Sequence, residues 1–131
     1  MPGNEVERYA ADDAVMANLG IAVLDVAPGR AVVTLTVAAQ HCDHRGVLSP
    51  GVAFTVADTA IALASNAYGP VALLVHADAQ WLADAPVGAV LSATCRAVHH
   101  DSSGATFESR LTTADGPVIG VVWGETRTPR R

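Results

Sequence analysis

Between Arg45 and Asp78 the chain carries one formally charged side chain, Asp58. It stands in the run VAFTVADTAIALASNAYG, among Ala, Val, Ile, Leu and Phe. A segment this apolar must be mostly buried, and an ionised carboxylate is costly to bury unless something pairs with it. A carboxylate kept in such surroundings can do two kinds of chemistry. It can draw a proton from water as a general base, or attack an electrophilic carbonyl as a nucleophile. Thr55, Asp58, Thr59, Ala62 and Asn66 are spaced three and four apart, so on a helix they share one face. That face lacks Lys, Arg and Glu. It reads either as the lining of a cleft or subunit junction, or as a thin polar stripe meeting solvent; periodicity alone does not choose.

Other reactive types cluster just upstream. Residues 38–48 hold His41, Cys42, Asp43, His44 and Arg45, followed by Ser49-Pro50-Gly51. The plainest readings are solvated loop histidines for His41 and His44, and a helix N-cap for Ser49. His76 and Asp78 follow the apolar run, and surface placement suits both as well as a site does. Cys42 and Cys95 are far apart with no CxxC spacing, which excludes a zinc site of the usual ligand spacing and makes free thiols the simplest state.

The elements that must position these residues follow from periodicity and punctuation. Ser49 then Pro50 is a strong helix start, because the hydroxyl can cap an early amide and proline gives up a donor the helix could not use. Gly69-Pro70 is a stop signal. A central helix is therefore expected over residues 50–67. A shorter N-terminal helix is expected within residues 1–19, with Val6, Tyr9, Val15, Met16 and Leu19 on its apolar side. Strands are expected at 21–27 and 30–37, joined by a turn at Pro28-Gly29, and at 71–82, 89–99, 104–113 and 117–126, with turns at residues 101–104 and at Asp115-Gly116. This order gives an α+β fold: an antiparallel sheet of about six strands with one long helix on its concave face.

A chain of 131 residues fits one domain, here residues 1–131, with a core large enough to need no disulfide or metal. The formal charge is −5, and basic residues cluster only in the tail 127–131, as Arg127, Arg130 and Arg131, which argues against nucleic acid as the main partner. No apolar run reaches the roughly 18–20 residues that cross a bilayer. The start, MPGNEVERYAADD, is polar and acidic, unlike a signal peptide. A cytoplasmic protein is expected.

Residues 16–126 resemble the hotdog acyl-CoA thioesterases of the phenylacetate-degradation type. The resemblance runs through MANLGIAVLDVAPGRAVVTLTV, GVAFTVADTAIALASNAYGP and DAQWLADAPVGAVLSATCRAVHHD. Its most specific part is the block F-x-x-A-D-T-A-x-A-x-A-x-N, here Phe54, Ala57, Asp58, Thr59, Ala60, Ala62, Ala64 and Asn66. The resemblance implies thioester hydrolysis with Asp58 as nucleophile or general base. It implies a backbone amide at the helix start polarising the thioester carbonyl, a loop residue at Asp43 positioning water or substrate, and sites shared across a homodimer or homotetramer. Coenzyme A then enters as part of the substrate; no other cofactor and no metal is implied. Thr59, Ala62, His44, His76 and Asp78 are the candidate substrate contacts. Arg45, Arg96, Arg110 and Arg127 are candidates for the CoA phosphates by charge alone.

The chain departs from the family pattern where the pattern carries chemistry. The family's His-Gly-Gly is Ser49-Pro50-Gly51, and its loop Asn or Gln is Asp43. Proline has no N–H, so the usual oxyanion donor is missing, and one lost donor costs about 10²–10³ in rate. The substitute donor would be the Gly51 amide, Ser49 or His44. The competing reading is a hotdog protein that binds acyl-CoA or another small ligand without hydrolysing it. A dehydratase or isomerase on the same fold is a third reading, but its Asp/His loop motif is not found in this sequence.

Overall fold

A computed structural model describes residues 12–114 and 116–129. In chain order the elements are α1 (Ala14–Leu19), β1 (Ala22–Ala27), β2 (Arg30–Thr36), a 3₁₀ turn (Ala39–His41), α2 (Pro50–Asn66), β3 (Leu73–Trp81), β4 (Val90–Asp101), β5 (Gly104–Thr113) and β6 (Val118–Arg127). All strands pair antiparallel into one six-stranded sheet of order β1-β2-β4-β5-β6-β3. It wraps α2, the hotdog arrangement. β1 and β3 are the edges.

The wrapping follows from alternation. Ala31, Val33 and Leu35 of β2, Leu91, Ala93 and Cys95 of β4, and Ala105, Phe107 and Leu111 of β5 point to one face and are buried. Against them α2 sets Ala53, Val56, Ala57, Ala60, Ile61, Leu63 and Ala64, also buried. So many alanines bring the helix axis close to the sheet. Gly124 of β6 serves the same approach, since a Cβ there would stand 2.9 Å from Ile61 Cδ1. Two buried polar links fix helix to sheet: Ser109 donates to the Ala57 carbonyl at 3.2 Å, and the Ser65 and Thr126 hydroxyls share a hydrogen at 2.8 Å. Both cysteines are free, and burial pushes the Cys95 thiol up to about 12.

Several boundaries differ from the sequence expectation. Asp12 is helical, but the helix is interrupted at Asp13, which caps Ala14–Leu19 by accepting from the Met16 amide at 3.0 Å. The expected helical residues up to 11 lie outside the described residues, as do Arg130 and Arg131 of the tail. Arg127 is not in a free tail: it is the last residue of β6, paired with Leu73 and Gly104. The central helix ends at Asn66, before the Gly69-Pro70 signal. There the Asn66 side chain replaces the next helical turn, donating to the Ala62 carbonyl at 2.9 Å and accepting from the Ala72 amide at 3.1 Å.

Candidate active site

Asp58 sits on the side of α2 turned away from the core, half-buried, on one line with Gly51, Thr55, Ala62 and Asn66. Its carboxylate has no hydrogen bond or ion pair among the described residues. It borders a cavity of about 330 Å³ with Ile61, Ala62, Asn66, Leu73 and Leu74 among its walls. Burial in this apolar lining holds the Asp58 carboxyl above its ordinary value of 3.8, and the negative charge of Asp13, at the start of α1, adds to the effect. Nothing in the sequence ties Asp13 to Asp58; only the packing of α1 brings them near. An unpaired carboxylate of raised proton affinity in an apolar cleft suits a base or nucleophile.

At the start of α2 the geometry is equally specific. The Ser49 hydroxyl accepts from the Gly51 amide at 3.3 Å, longer than a usual N–H···O bond. Pro50 offers no donor, and Ala53 is the first residue of the helix to donate back, to the Ser49 carbonyl at 3.0 Å. The Val52 amide between them has no partner among the described residues. Two adjacent amides, Gly51 and Val52, thus remain at the positive end of the helix dipole. Gly51 and Asp58 share a face but lie about two turns, or roughly 10 Å of helix rise, apart. One small carbonyl cannot touch both in a single chain.

The upstream loop is tied down. Asp43 accepts from Arg45 three times, at 2.9 Å from its amide, 3.2 Å from Nε and 3.0 Å from Nη2. Arg45 continues to Asp84 at 3.1 Å. The hydrogen bonds from Arg45 hold the Asp43 carboxyl below its ordinary range. His44 is exposed beside it. His41, expected as a solvated loop histidine, is buried at 3% exposure. Its Nδ1 accepts from the Ala38 amide and its Nε2 meets the Leu19 carbonyl, both at 2.9 Å, so the ring donates from Nε2 and joins α1 to the loop. The His41 carbonyl in turn accepts from the Ser49 amide at 2.9 Å.

Other expected contacts are not brought to Asp58. Thr59 is one residue off the open stripe, buried, and its hydroxyl is spent on the Thr55 carbonyl at 2.8 Å. His76 and Asp78 pair with each other at 3.1 Å on the face of the sheet turned away from α2, opposite Glu125 and Trp123. The cause is a bulge between Leu74 and His76, which reverses the in-out phase of β3 so that Leu74 and Ala77 face the core instead. Arg96 and Arg110 share Glu108 at 3.5 Å on that same outer face. At the β4–β5 turn, His99, Asp101 and Ser103 have the residue types of a hydrolase triad. Ser103 Oγ, however, donates to Asp101 at 2.7 Å and not to His99, so no base activates it.

The comparisons with known proteins agree with this architecture. The acyl-coenzyme A thioesterase PaaI of Escherichia coli K12 is 28% identical over 114 residues, which are 87% of this chain and 81% of that protein. The structure of the E. coli PaaI protein from the phenylacetic acid degradation operon superposes with a TM-score of 0.94 at 25% identity, covering 97% of this chain and 92% of that one. A mutant of the phenylacetic acid degradation protein PaaI from Thermus thermophilus matches with a TM-score of 0.85 at 32% identity, covering 89% of this chain and 100% of that one. The family model described as the thioesterase superfamily matches residues 45–119, the stretch that holds both the start of α2 and Asp58. On that match, and on a hotdog fold shared with PaaI over nearly its whole length, the chain belongs to the thioesterase superfamily.

Proposed function

We propose that the protein hydrolyses acyl-CoA thioesters, with Asp58 as the catalytic carboxylate. The observation that carries this reading is the unpaired, half-buried Asp58 at the mouth of an apolar cavity, its proton affinity raised by burial. The Gly51 and Val52 amides receive the thioester oxygen in place of the donor Pro50 lacks. In one route Asp58 takes a proton from water, the hydroxide adds to the carbonyl carbon, and the carbon–sulfur bond breaks. The thiolate of CoA then recovers the proton. In the other route the carboxylate adds directly, expels the thiolate and forms an anhydride that water cleaves.

The site is completed by a second copy. Because Asp58 and Gly51 of one chain are too far apart for one carbonyl, the two groups come from two protomers. β3 is the edge that does this: it pairs only with β6 and exposes Leu73 and Val75. Antiparallel pairing of two β3 edges buries these side chains. It also sets the Leu73 end of one strand, beside Asp58, against the Trp81 end of the other, beside the start of α2. Leu73 borders both the Asp58 cavity and an open groove that ends at Arg127. Arg127 makes no ion pair among the described residues, whereas Arg30, Arg45, Arg96 and Arg110 are paired. Arg127 is therefore the arginine assigned to the CoA phosphates.

The test is thiol release from a panel of acyl-CoAs by the wild type and by Asp58→Asn. Turnover abolished in a folded variant supports the reading; full activity in the variant overturns it. The missing Pro50 donor and the Ser49 hydroxyl already on the Gly51 amide favour a second reading, acyl-CoA binding without hydrolysis. Binding without turnover by the wild type would establish that one.

A further inference from the structure

His41 is the one buried histidine among the described residues, and no step assigned to Asp58 uses it. A neutral imidazole has one donor and one acceptor. Both are spent on backbone: Nδ1 accepts from the Ala38 amide and Nε2 donates to the Leu19 carbonyl, each at 2.9 Å. The first bond closes the 3₁₀ turn Ala39–His41 onto the residue before it. The carbonyl that ends this turn, that of His41, accepts from the Ser49 amide at 2.9 Å. Leu48 is tied elsewhere, its amide donating to the Ala85 carbonyl at 2.9 Å. Ser49 is thus set by the His41 turn, and the Ser49 hydroxyl in turn holds the Gly51 amide. The second bond fixes the C-terminal end of α1. Among the described residues it is the only hydrogen bond from α1 to another element. The other end of α1 follows Asp13, the charged group whose field reaches Asp58. The α2 and β3 residues lining the Asp58 cavity, Ile61, Ala62, Asn66, Leu73 and Leu74, carry no charge.

We infer that His41 is a positioning residue for both halves of the site: through the Ala38 bond it places the amides at the start of α2, and through the Leu19 bond it places the charge of Asp13 beside Asp58. This rests on the reading of the site given above. Pro50 makes the first arm matter. With one donor gone, the thioester oxygen depends on the Gly51 and Val52 amides alone, and a misplacement of about 1 Å far from the chemistry can cost about 10² in rate. The second arm acts on the carboxylate. A like charge nearby favours the protonated form, so α1 must stay docked for Asp13 to keep its effect. In paired protomers the helix start of one chain and its Asp58 belong to different sites. One imidazole therefore serves both sites of the pair.

The test divides the two bonds of the ring between two variants. His41→Asn keeps an acceptor near the Nδ1 position and cannot reach Leu19. His41→Gln keeps a donor near the Nε2 position and leaves the Ala38 amide unpaired. With the acyl-CoA that the wild type cleaves fastest, His41→Gln should lower kcat by about tenfold or more, change KM little and leave the acid limb of the rate in place. His41→Asn should move the acid limb to lower pH with a smaller loss of kcat. Wild-type kcat and acid limb in both variants would overturn the inference. So would equal loss of both in the two variants, the mark of a ring that only supports the fold. Two readouts need no turnover. The amide resonances of Gly51 and Val52 should shift in His41→Gln and hold in His41→Asn, and the carboxyl-carbon titration of Asp58 should do the reverse. That pattern in a protein that cleaves no acyl-CoA retains the inference while the hydrolysis reading fails. Its absence in an active enzyme removes the inference and leaves hydrolysis standing. In the wild type itself the Ala38 and Ser49 amides should exchange hydrogen at one rate, far slower than unstructured peptide. Fast exchange at Ala38 would overturn the inference whether or not either variant folds.

Discussion

The Gly51 amide donates to the Ser49 hydroxyl across 3.3 Å, next to a proline that can donate nothing. A long bond from an exposed amide is one that a substrate oxygen can displace. The helix start is thereby both capped and available, and in the proposed reaction this relationship governs how much oxyanion stabilisation remains beside Pro50.

Replacing Pro50 with Gly returns an amide to the first position of α2. If hydrolysis is limited by oxyanion stabilisation, kcat should rise by about 10- to 100-fold with little change in KM. Stability should fall by about 1 kcal/mol, because glycine loses more chain entropy on folding. Steady-state kinetics beside a urea melt reads both. An unchanged kcat would mean that Gly51 and Val52 already supply what the reaction needs.

The pH dependence of Asp58 has a definite sign. Its folded carboxyl holds a proton more tightly than the unfolded chain does, whose ordinary value is 3.8. The folded state therefore binds more protons in the window from 3.8 up to the raised value, and stability falls as pH rises through that window. Asp58→Asn removes the ionisation. The variant should gain stability over the wild type above the window and lose the advantage below it, as thermal melts across pH would show. The acid limb of the wild-type rate should lie above 3.8, because the proposed reaction needs the carboxylate.

Replacing His41 with Leu should leave the Ala38 amide and the Leu19 carbonyl without partners in a buried place. At about 1–3 kcal/mol for each unsatisfied group, a loss of about 2–4 kcal/mol is expected in urea unfolding. Because α1 is held to the loop through this ring, hydrogen exchange in residues 14–19 should quicken more than in β4 and β5.

A charge on the β3 edge should separate protomers. Val75 is 52% exposed in one chain, and a Lys there would have to be buried in a paired edge. Val75→Lys should sediment as a smaller species than the wild type and lose turnover while keeping its circular dichroism. Full activity in a monomer would refute the shared site.

Much of this protein is set by local sequence. The apolar run with its Ser-Pro start can only be a buried helix, and one carboxylate within it announces itself because burial of charge is costly. Period-two alternation fixes which residues of β2, β4 and β5 face that helix. The tertiary structure decided what periodicity cannot carry. One inserted residue between Leu74 and His76 turns His76 and Asp78 to the outer face, since a strand's in-out phase reverses with each single-residue shift. The burial of His41 depends on a carbonyl twenty-two residues away, and the nearness of Asp13 to Asp58 on the docking of α1. Trp81 gains its place from Gly120 on a strand far along the chain. Each of these is a contact between distant segments, and such contacts exist only once the sheet has closed around the helix.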